Sequence, residues 1–191
     1  IAKSGKKILF VATKKQAKGI VAETAAALNM PFITERWPGG LLTNFATIRK
    51  SIKKMQTIDK MKENGTFDSL SKRERLQIDR QRAKLDLNLG SIVKMTRMPE
   101  AVFIVDTGKE NIALAEANKL GIRSFAMNDT NTNPNLVSFP IPSNDDASKS
   151  IQCIMSIVKT AIAEGLEERG ADQEAKAVEK KEKAKKITEE K

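Results

Sequence analysis

The chain has 191 residues, of which 40% are apolar and 30% are charged, an ordinary balance that excludes a largely disordered protein. No apolar run approaches the roughly 20 residues that a membrane-spanning helix needs, so we expect no membrane partner. The sequence holds one cysteine, no histidine and no tyrosine. These counts exclude an internal disulfide framework, an ordinary zinc site and histidine-based catalysis.

Positive charge is concentrated in the first half of the chain. There are 34 lysines and arginines against 24 aspartates and glutamates, which gives a net charge of +10. The net charge is +4 over residues 1–35, +9 over 36–97, −4 over 98–170 and +1 over 171–191. This asymmetry indicates a polyanionic partner such as nucleic acid, although a merely solubilising surface would also produce it.

Short continuous apolar runs predict strands that are covered on both faces, as the strands of parallel sheets are. These runs are 8–12, 32–34, 101–105, 122–127 and 136–139, the last of which ends before Pro140. Apolar residues at helical spacing lie between the runs and predict helices over 17–28, over 109–120 and from the segment after Pro142 through Ile162. The alternation predicts an α/β layered sheet with right-handed crossovers.

The segment 43–89 interrupts this alternation, because it has two helical patterns and no strand. Asn64 and Gly65 separate the patterns, and Ser71 with Glu74 is the signature of a capping box at the start of the second. The narrow apolar stripes predict a protruding antiparallel helical hairpin of coiled-coil type. We therefore divide the chain into an α/β domain (1–42 and 90–168), the hairpin (43–89) and a charged extension (169–191) that is frayed or depends on a partner.

The predicted carboxyl ends of the strands are the usual ligand-binding positions of such a sheet. They lack the glycine-rich loops that bind dinucleotides or nucleoside triphosphates, so we expect no cofactor. Asp106 and Asp129 end successive strands and could hold Mg²⁺, as in a receiver-like or other Mg²⁺-dependent enzyme. Helix capping and turn formation explain both residues more simply, so we expect no metal ligand and no catalytic residue. Cys153 lies on an apolar helix stripe and is expected in the core.

The sequence of residues 35–44 (ERWPGGLLTN) is the most unusual in the chain. It places the only tryptophan, Trp37, beside a Pro-Gly-Gly corner and ends in Thr43 and Asn44, either of which can cap the following helix. One interpretation is a structural elbow in which the indole fills a gap. The other is a surface where Arg36 and Trp37 border bound RNA, and the two interpretations are compatible.

Candidate phosphate-binding side chains occur near the start of the first predicted helix and on the hairpin. Such cations neutralise phosphates without reading sequence, so the binding that they support depends on salt. The candidate RNA-binding residues, including those of the 35–44 segment, are Lys14, Lys15, Arg36, Trp37, Thr43, Asn44, Arg49, Lys50, Lys53 and Lys54.

Several ordered motifs, spread from about residue 1 to residue 164, resemble the bacterial-type small ribosomal subunit protein S-two family. They are Arg36-Trp-Pro-Gly-Gly-Leu-Leu-Thr-Asn-Phe-x-Thr-Ile-Arg49, Asn64-Gly-Thr-Phe-Asp68 and the segments 99–106, 116–121, 129–131 and 141–147. The resemblance implies a Rossmann-like parallel sheet flanked by helices, an inserted antiparallel helical hairpin, and no catalytic site. Members of that family begin with further residues before the position of Ile1, so the N-terminal part of the domain is expected to be missing. Arg123 stands where they have a small residue or proline.

The same resemblance implies the partners. Members of that family bind small-subunit ribosomal RNA, contact neighbouring small-subunit proteins and help to dock the S-one protein, which recruits messenger RNA. We therefore expect a cytoplasmic protein of a bacterial ribosome, or its organellar counterpart, that forms no homo-oligomer. Two alternatives remain open: the Mg²⁺-dependent enzyme, and a scaffold that binds proteins alone through its hairpin.

Overall fold

The computed structural model describes residues 1–189, and side chains from residue 1 to residue 173. Within this part of the chain, five strands form one sheet: β1 (Ile8–Val11), β2 (Phe32–Ile33), β3 (Ala101–Val105), β4 (Arg123–Asn128) and β5 (Phe139–Pro142). The helices are α1 (Lys15–Ala27), α2 (Phe45–Glu63), α3 (Lys72–Leu89), α4 (Asn111–Lys119) and α5 (Ser148–Glu189), with 3-10 turns at Gly90–Ile92 and Pro134–Leu136. None of the described helices is both long and apolar enough to cross a membrane.

The sheet is entirely parallel, with its strands in the order β2-β1-β3-β4-β5. The chain starts inside the sheet and adds strands first on one side and then on the other, so the predicted α/β fold with a parallel sheet is confirmed. In such a sheet all strands end at one edge, the carboxyl edge, and begin at the opposite one, the amino edge. The loops that follow β1, β3 and β4 therefore meet at the carboxyl edge.

Both faces of the sheet are buried, which explains why the strands are continuous apolar runs. Successive residues of a strand point to opposite faces. Leu9 of β1 belongs to an apolar cluster that includes residues of α2 and α4. Its neighbour Phe10 belongs to a second cluster, with residues of α1 and α5. The two clusters hold helices against opposite faces of one sheet.

The last strand differs from the prediction of a strand over 136–139. The observed β5 is Phe139–Pro142, and Pro134–Leu136 forms a 3-10 turn instead. The prediction was wrong because Pro140 was taken to end the strand. β5 lies at the edge of the sheet and pairs with β4. An edge strand tolerates proline, since the missing N–H faces away from the partner strand.

The segment 43–89 forms two helices, α2 and α3, as the periodicity predicts. Ion pairs connect them: Lys62 Nζ lies 2.6 Å from Asp79 Oδ1, and Arg82 Nε lies 2.8 Å from Asp59 Oδ1. Some of the charged side chains of α2 and α3 therefore pair with each other and hold the two helices together.

Local interactions define three helix ends, and the capping box predicted at one of them is confirmed. The Ser71 hydroxyl accepts the N–H of Glu74, whose carboxylate accepts the N–H of Ser71, which is the predicted capping box. Gly121 follows α4 with a φ of +66°, a conformation that favours glycine. The Asn144 side chain accepts the N–H of Ala147 at 2.9 Å, immediately before α5.

Two predictions concern the C-terminal helix α5, and the structure contradicts the one about Cys153. Cys153 is exposed, not in the core as predicted. The buried residues Ile151 and Met155 mark the inner face of α5, and Cys153 lies about 200° around the helix from Ile151. The extension 169–191 continues α5 as far as Glu189. Residues 190–191, and the side chains after residue 173, lie outside the described part, so its fraying remains a prediction.

The same substitution at two glycines should change stability in opposite directions. Gly121→Ala forces a side chain into a left-handed conformation and should lower the free energy of unfolding by about 1 kcal/mol. Gly19 lies within α1, and nothing lies within 4 Å of the Cβ that an alanine there would add. Gly19→Ala should therefore raise the free energy of unfolding by about 0.5–1 kcal/mol. Urea unfolding measures both, and shifts of equal sign would contradict the assigned backbone conformations.

Candidate nucleic-acid interface

One buried carboxylate, that of Glu116 in α4, holds the loop between β2 and α2. Its Oε1 accepts the indole N–H of Trp37 at 3.0 Å and the backbone N–H of Gly40 at 2.7 Å. Its Oε2 accepts the backbone N–H groups of Leu42 and Thr43, each at 3.0 Å, and the Thr43 hydroxyl at 3.0 Å. Five donors therefore converge on one side chain, and together they fix the path of the loop.

The protonation of Glu116 follows from these contacts. Burial by itself raises the pKa of the carboxyl group, because it disfavours the charged form. The hydrogen bonds from Thr43, Trp37, Gly40 and Leu42 stabilise the charged form and outweigh burial, so the pKa of Glu116 lies below its usual value. The loop is thus organised around an ionised carboxylate.

Sequence reasoning missed Glu116, although a signal for it exists. Glu116 stands beside Ala117 on the buried face of an amphipathic helix, where an unpaired acid is seldom found. Glu110, also buried, accepts the backbone N–H of Thr13 at 3.0 Å and the Thr13 hydroxyl. The two glutamates thus connect α4 to the loops that follow β1 and β2.

Trp37 occupies the core, as in the structural-elbow interpretation of its loop. The side chain is 7% exposed and belongs to the apolar cluster that contains Leu9. Gly40 has a φ of +83°, which a residue with a side chain rarely adopts, and its N–H thereby reaches the Glu116 carboxylate. The indole therefore supports the start of α2 from beneath.

Neither Thr43 nor Asn44 caps α2 through its side chain, so the predicted cap is wrong. Asn44 occupies the N-cap position without a side-chain cap, and its Oδ1 accepts the Thr47 hydroxyl at 2.8 Å. The Thr43 hydroxyl donates to Glu116 instead. Sequence suggested a local cap, whereas Glu116, distant in sequence, binds the loop immediately before the helix.

Lys14 lies at the carboxyl edge of the sheet among acidic side chains. Its Nζ is 2.6 Å from Asp146, 2.7 Å from Asp145 and 3.2 Å from Asp106. Burial lowers the pKa of Lys14, but hydrogen bonds to these three carboxylates outweigh it and raise the pKa above its ordinary value. The charge of Lys14 is therefore neutralised within the chain.

The two aspartates considered for Mg²⁺ have separate local roles. Asp106 accepts the N–H of Lys109 at 3.1 Å and pairs with Lys14. Because α4 begins only at Asn111, Asp106 holds a turn and does not cap the helix as predicted. Asp129 accepts the N–H of Thr130 at 2.7 Å, which confirms its predicted turn role.

Asp129 lies close to two acidic side chains that precede α5, Asp145 and Asp146. One oxygen from each of Asp129, Asp145 and Asp146 lies within 4.8 Å of the others. Carboxylate oxygens at such spacing are suitable ligands for a divalent cation. Here the Lys14 ammonium already contacts Asp145 and Asp146 and supplies a positive charge.

Three lysines of α2 form an exposed cationic surface, which we call the α2 lysine face: Lys50, Lys53 and Lys54. They lie on the side of the helix opposite the buried Ile48 and Ile52. Among the described side chains, no carboxylate oxygen lies within 4 Å of their ammonium groups. Their charges are thus available to an external anion.

The other predicted cations differ in whether they have hydrogen-bond partners within the chain. Arg49 is half-buried and donates from Nη1 to the carbonyls of Val93 and Met95, both at 3.3 Å. It therefore attaches the first turn of α2 to the segment before β3. Lys15, at the start of α1, and Arg36, before the buried indole, are both exposed.

Removing the charge of Glu116 should destabilise the loop. Glu116→Gln presents an NH₂ group to donors that now meet a carboxylate oxygen, so the free energy of unfolding should fall by about 2–4 kcal/mol. Urea unfolding measures this, and the fluorescence of Trp37, the only tryptophan, reports the loop directly. Glu23→Gln, at an exposed position of α1, should change stability by less than about 0.5 kcal/mol. Equal effects of the two substitutions would contradict the anchoring role.

Glu116 should also make stability depend on pH. Its pKa is lowered by folding, so its contribution is present above the unfolded value of about 4.3 and is lost as pH falls through the folded pKa. The wild-type chain should therefore lose stability more steeply than Glu116→Gln when pH falls from about 5 to about 3. Urea midpoints across this range test the difference, and parallel curves would contradict it.

Comparison with known proteins places the chain in a family. The profile of the family described as Ribosomal protein S2 matches residues 1–165. The small ribosomal subunit protein uS2 of Flavobacterium johnsoniae is 65% identical over 179 residues, which cover 94% of this chain and 70% of that protein.

Two further relatives agree with this result. The uS2 proteins of Flavobacterium psychrophilum and Phocaeicola vulgatus are 66% and 64% identical, and the matches cover 92% and 90% of this chain. The chain spans 66% and 62% of their respective lengths. These matches confirm the resemblance identified from the motifs: the chain belongs to the ribosomal protein S2 family, whose members are structural proteins and not enzymes.

Proposed function

We propose that this chain is a structural component of the small ribosomal subunit that binds small-subunit ribosomal RNA through phosphate contacts. Membership of the S2 family, and relatives named as small ribosomal subunit proteins, support the ribosomal role. The single observation that carries the proposed RNA contact is the α2 lysine face. Its three ammonium groups are exposed and, among the described side chains, lack a carboxylate within 4 Å.

The spacing of these lysines suits a nucleic-acid backbone. Residues three and four apart on a helix are neighbours, with about 5–6 Å between their Cβ atoms, so Lys50, Lys53 and Lys54 present adjacent charges. Lysine ammonium groups bind phosphate oxygens as point charges and carry no base specificity. The proposed binding is therefore strong at low salt, weaker at high salt and dependent on RNA shape more than on sequence.

The candidate residues divide into those that contact RNA and those that position the contact. We assign phosphate or sugar contact to the exposed side chains, which are Lys15, Arg36, Asn44, Lys50, Lys53 and Lys54. We assign positioning to the side chains with internal partners, which are Lys14, Trp37, Thr43 and Arg49. The second group connects the sheet to the first turn of α2.

We propose that protein neighbours in the small subunit, including the S-one protein, contact the acidic half of the globular domain. Residues 98–170 carry a net charge of −4, which disfavours RNA there. The same half exposes the apolar side chains of Ile112, Leu120 and Leu136, and exposed apolar groups of this kind suit protein contacts. We propose a cytoplasmic location in the small ribosomal subunit, with an organellar ribosome as the alternative.

Neutralising the α2 lysine face should weaken RNA binding and reduce its dependence on salt. The slope of log K against log salt concentration is negative, and we use its magnitude as the measure of salt dependence. For Lys50→Gln/Lys53→Gln/Lys54→Gln this magnitude should fall by about 2–3, because each lost phosphate contact removes about 0.7–0.9. Fluorescence titration of small-subunit ribosomal RNA with the full chain measures this slope. Lys119→Gln/Lys149→Gln/Lys159→Gln is a matched control: it removes the same charge at exposed positions of the acidic half. Equal slopes for the two variants would overturn the phosphate assignment.

Sedimentation of cell lysates through sucrose gradients provides a second readout for the same variants. The unsubstituted chain should migrate with small subunits, and the α2 variant should shift toward the free-protein fractions. Recovery of the unsubstituted chain only as free protein would contradict the ribosomal role. Association with subunit proteins that survives ribonuclease would instead favour the protein-only scaffold.

A further inference from the structure

A second concentration of positive charge lies at the amino edge of the sheet. The segments that lead into β1, β3 and β4 are residues 1–7, 90–100 and 121–123. Together they contain six basic residues and one acidic residue, Glu100. None of these six cations is among the predicted RNA-binding residues.

Strand pairing brings the three segments together. Ile8 is in register with Ala101, and Ala101 is in register with Arg123. The backbone N–H of Glu100 also donates to the carbonyl of Lys7 at 3.0 Å. The residues immediately before each strand therefore lie side by side, although they are far apart in sequence.

Glu100, the single acid of these three segments, is shared by two cations, whereas Lys3 pairs with Glu168 of α5 at 3.0 Å. Lys6 Nζ lies 2.7 Å from one oxygen of Glu100, and Arg123 Nη2 lies 2.6 Å from the other. This arrangement gives Arg123 a structural role. One negative charge cannot neutralise two positive ones, so the pair leaves a net positive charge at the edge.

Three further cations at this edge lack an acidic partner among the described side chains: Lys7, Lys94 and Arg97, all exposed. Lys7 and Lys94 line one surface cleft of about 550 Å³. Lys7 donates to the carbonyl of Asn29 at 2.7 Å, which uses one of its three N–H donors. Arg97 precedes Glu100 by three residues, so its Cα lies within roughly 11 Å of that of Glu100. We call these three residues the amino-edge cluster.

Arg49 connects α2 to the segment that carries Lys94. It donates to the carbonyls of Val93 and Met95, which flank Lys94 in sequence. The helix of the α2 lysine face is therefore attached directly to a segment of the amino-edge cluster.

We propose that the amino-edge cluster is a second phosphate-binding surface of this chain, which binds the backbone of the same ribosomal RNA as the α2 lysine face. The proposal rests on the function proposed above. Its cations lie on two segments that are far apart in sequence, along an open edge, an arrangement that fits the repeating charges of a nucleic-acid backbone better than a single small anion. The two lysines bind phosphate as point charges, and the Arg97 guanidinium can also form paired hydrogen bonds with it.

The test is the salt dependence of binding to small-subunit ribosomal RNA by the full chain. Lys7→Gln/Lys94→Gln/Arg97→Gln should lower the magnitude of the slope of log K against log salt concentration by about 2, because about 0.7–0.9 is lost per contact. The control Lys119→Gln/Lys149→Gln/Lys159→Gln should leave the slope unchanged. If the loss of the Lys7 contact impairs folding, Lys94→Gln/Arg97→Gln should still lower the slope by about 1–2.

A substitution that removes a negative charge from these segments should have the opposite effect on RNA binding. Glu100→Gln removes the only acid of these segments and frees Lys6 and Arg123, so RNA binding should become tighter and its slope steeper. If the α2 variant lowers the slope while the amino-edge variant matches the control, this inference fails and the proposed function stands. If both variants match the control, the proposed function fails with it.

Discussion

The geometry of the candidate interface depends on the carboxylate of Glu116. It gathers five donors from the loop before α2 and holds the indole of Trp37 against the sheet. Hydrogen bonds to a charged group contribute about 1.5–3 kcal/mol each, and buried donors without an acceptor would cost a comparable amount. The loop therefore has one favourable path. Because that path ends at the first turn of α2, it also sets the direction in which the lysines of α2 face solvent.

The distribution of charge over the two edges of the sheet supports the proposed position of the RNA contact. Parallel α/β sheets ordinarily bind ligands at the carboxyl edge. Here that edge holds the ion pairs of Lys14 with Asp106, Asp145 and Asp146, so the lysine is neutralised and the three carboxylates leave a net negative charge, which repels a polyanion. At the amino edge and on α2, cations outnumber the acids close to them. This difference in charge supports the proposal that α2 and the amino edge, and not the carboxyl edge, bind the polyanion.

Much of the fold was predictable because its causes are local. The continuous apolar runs of β1 and β3 reflect burial on both faces, and the Ser71–Glu74 capping box acts within one helical turn. Prediction failed where the cause lies elsewhere in the chain. Pro140 is tolerated only because β5 is an edge strand, and Cys153 is exposed because the sheet covers a different side of α5. The candidate site was predictable as a set of residue types and motifs, but not as a set of roles.

The sequence by itself determined the α/β class, the positive first half of the chain and, through its ordered motifs, the S2 family. These properties depend on residue type, spacing and periodicity, which one chain displays directly. Only the tertiary structure decided which cations remain available to an external anion. Lys14 and Lys53 are equally basic in the sequence, yet Lys14 is surrounded by three carboxylates and Lys53 faces solvent on α2. The physical reason is that a charge is neutralised by neighbours in space, and long-range packing brings Asp106, Asp145 and Asp146 to Lys14.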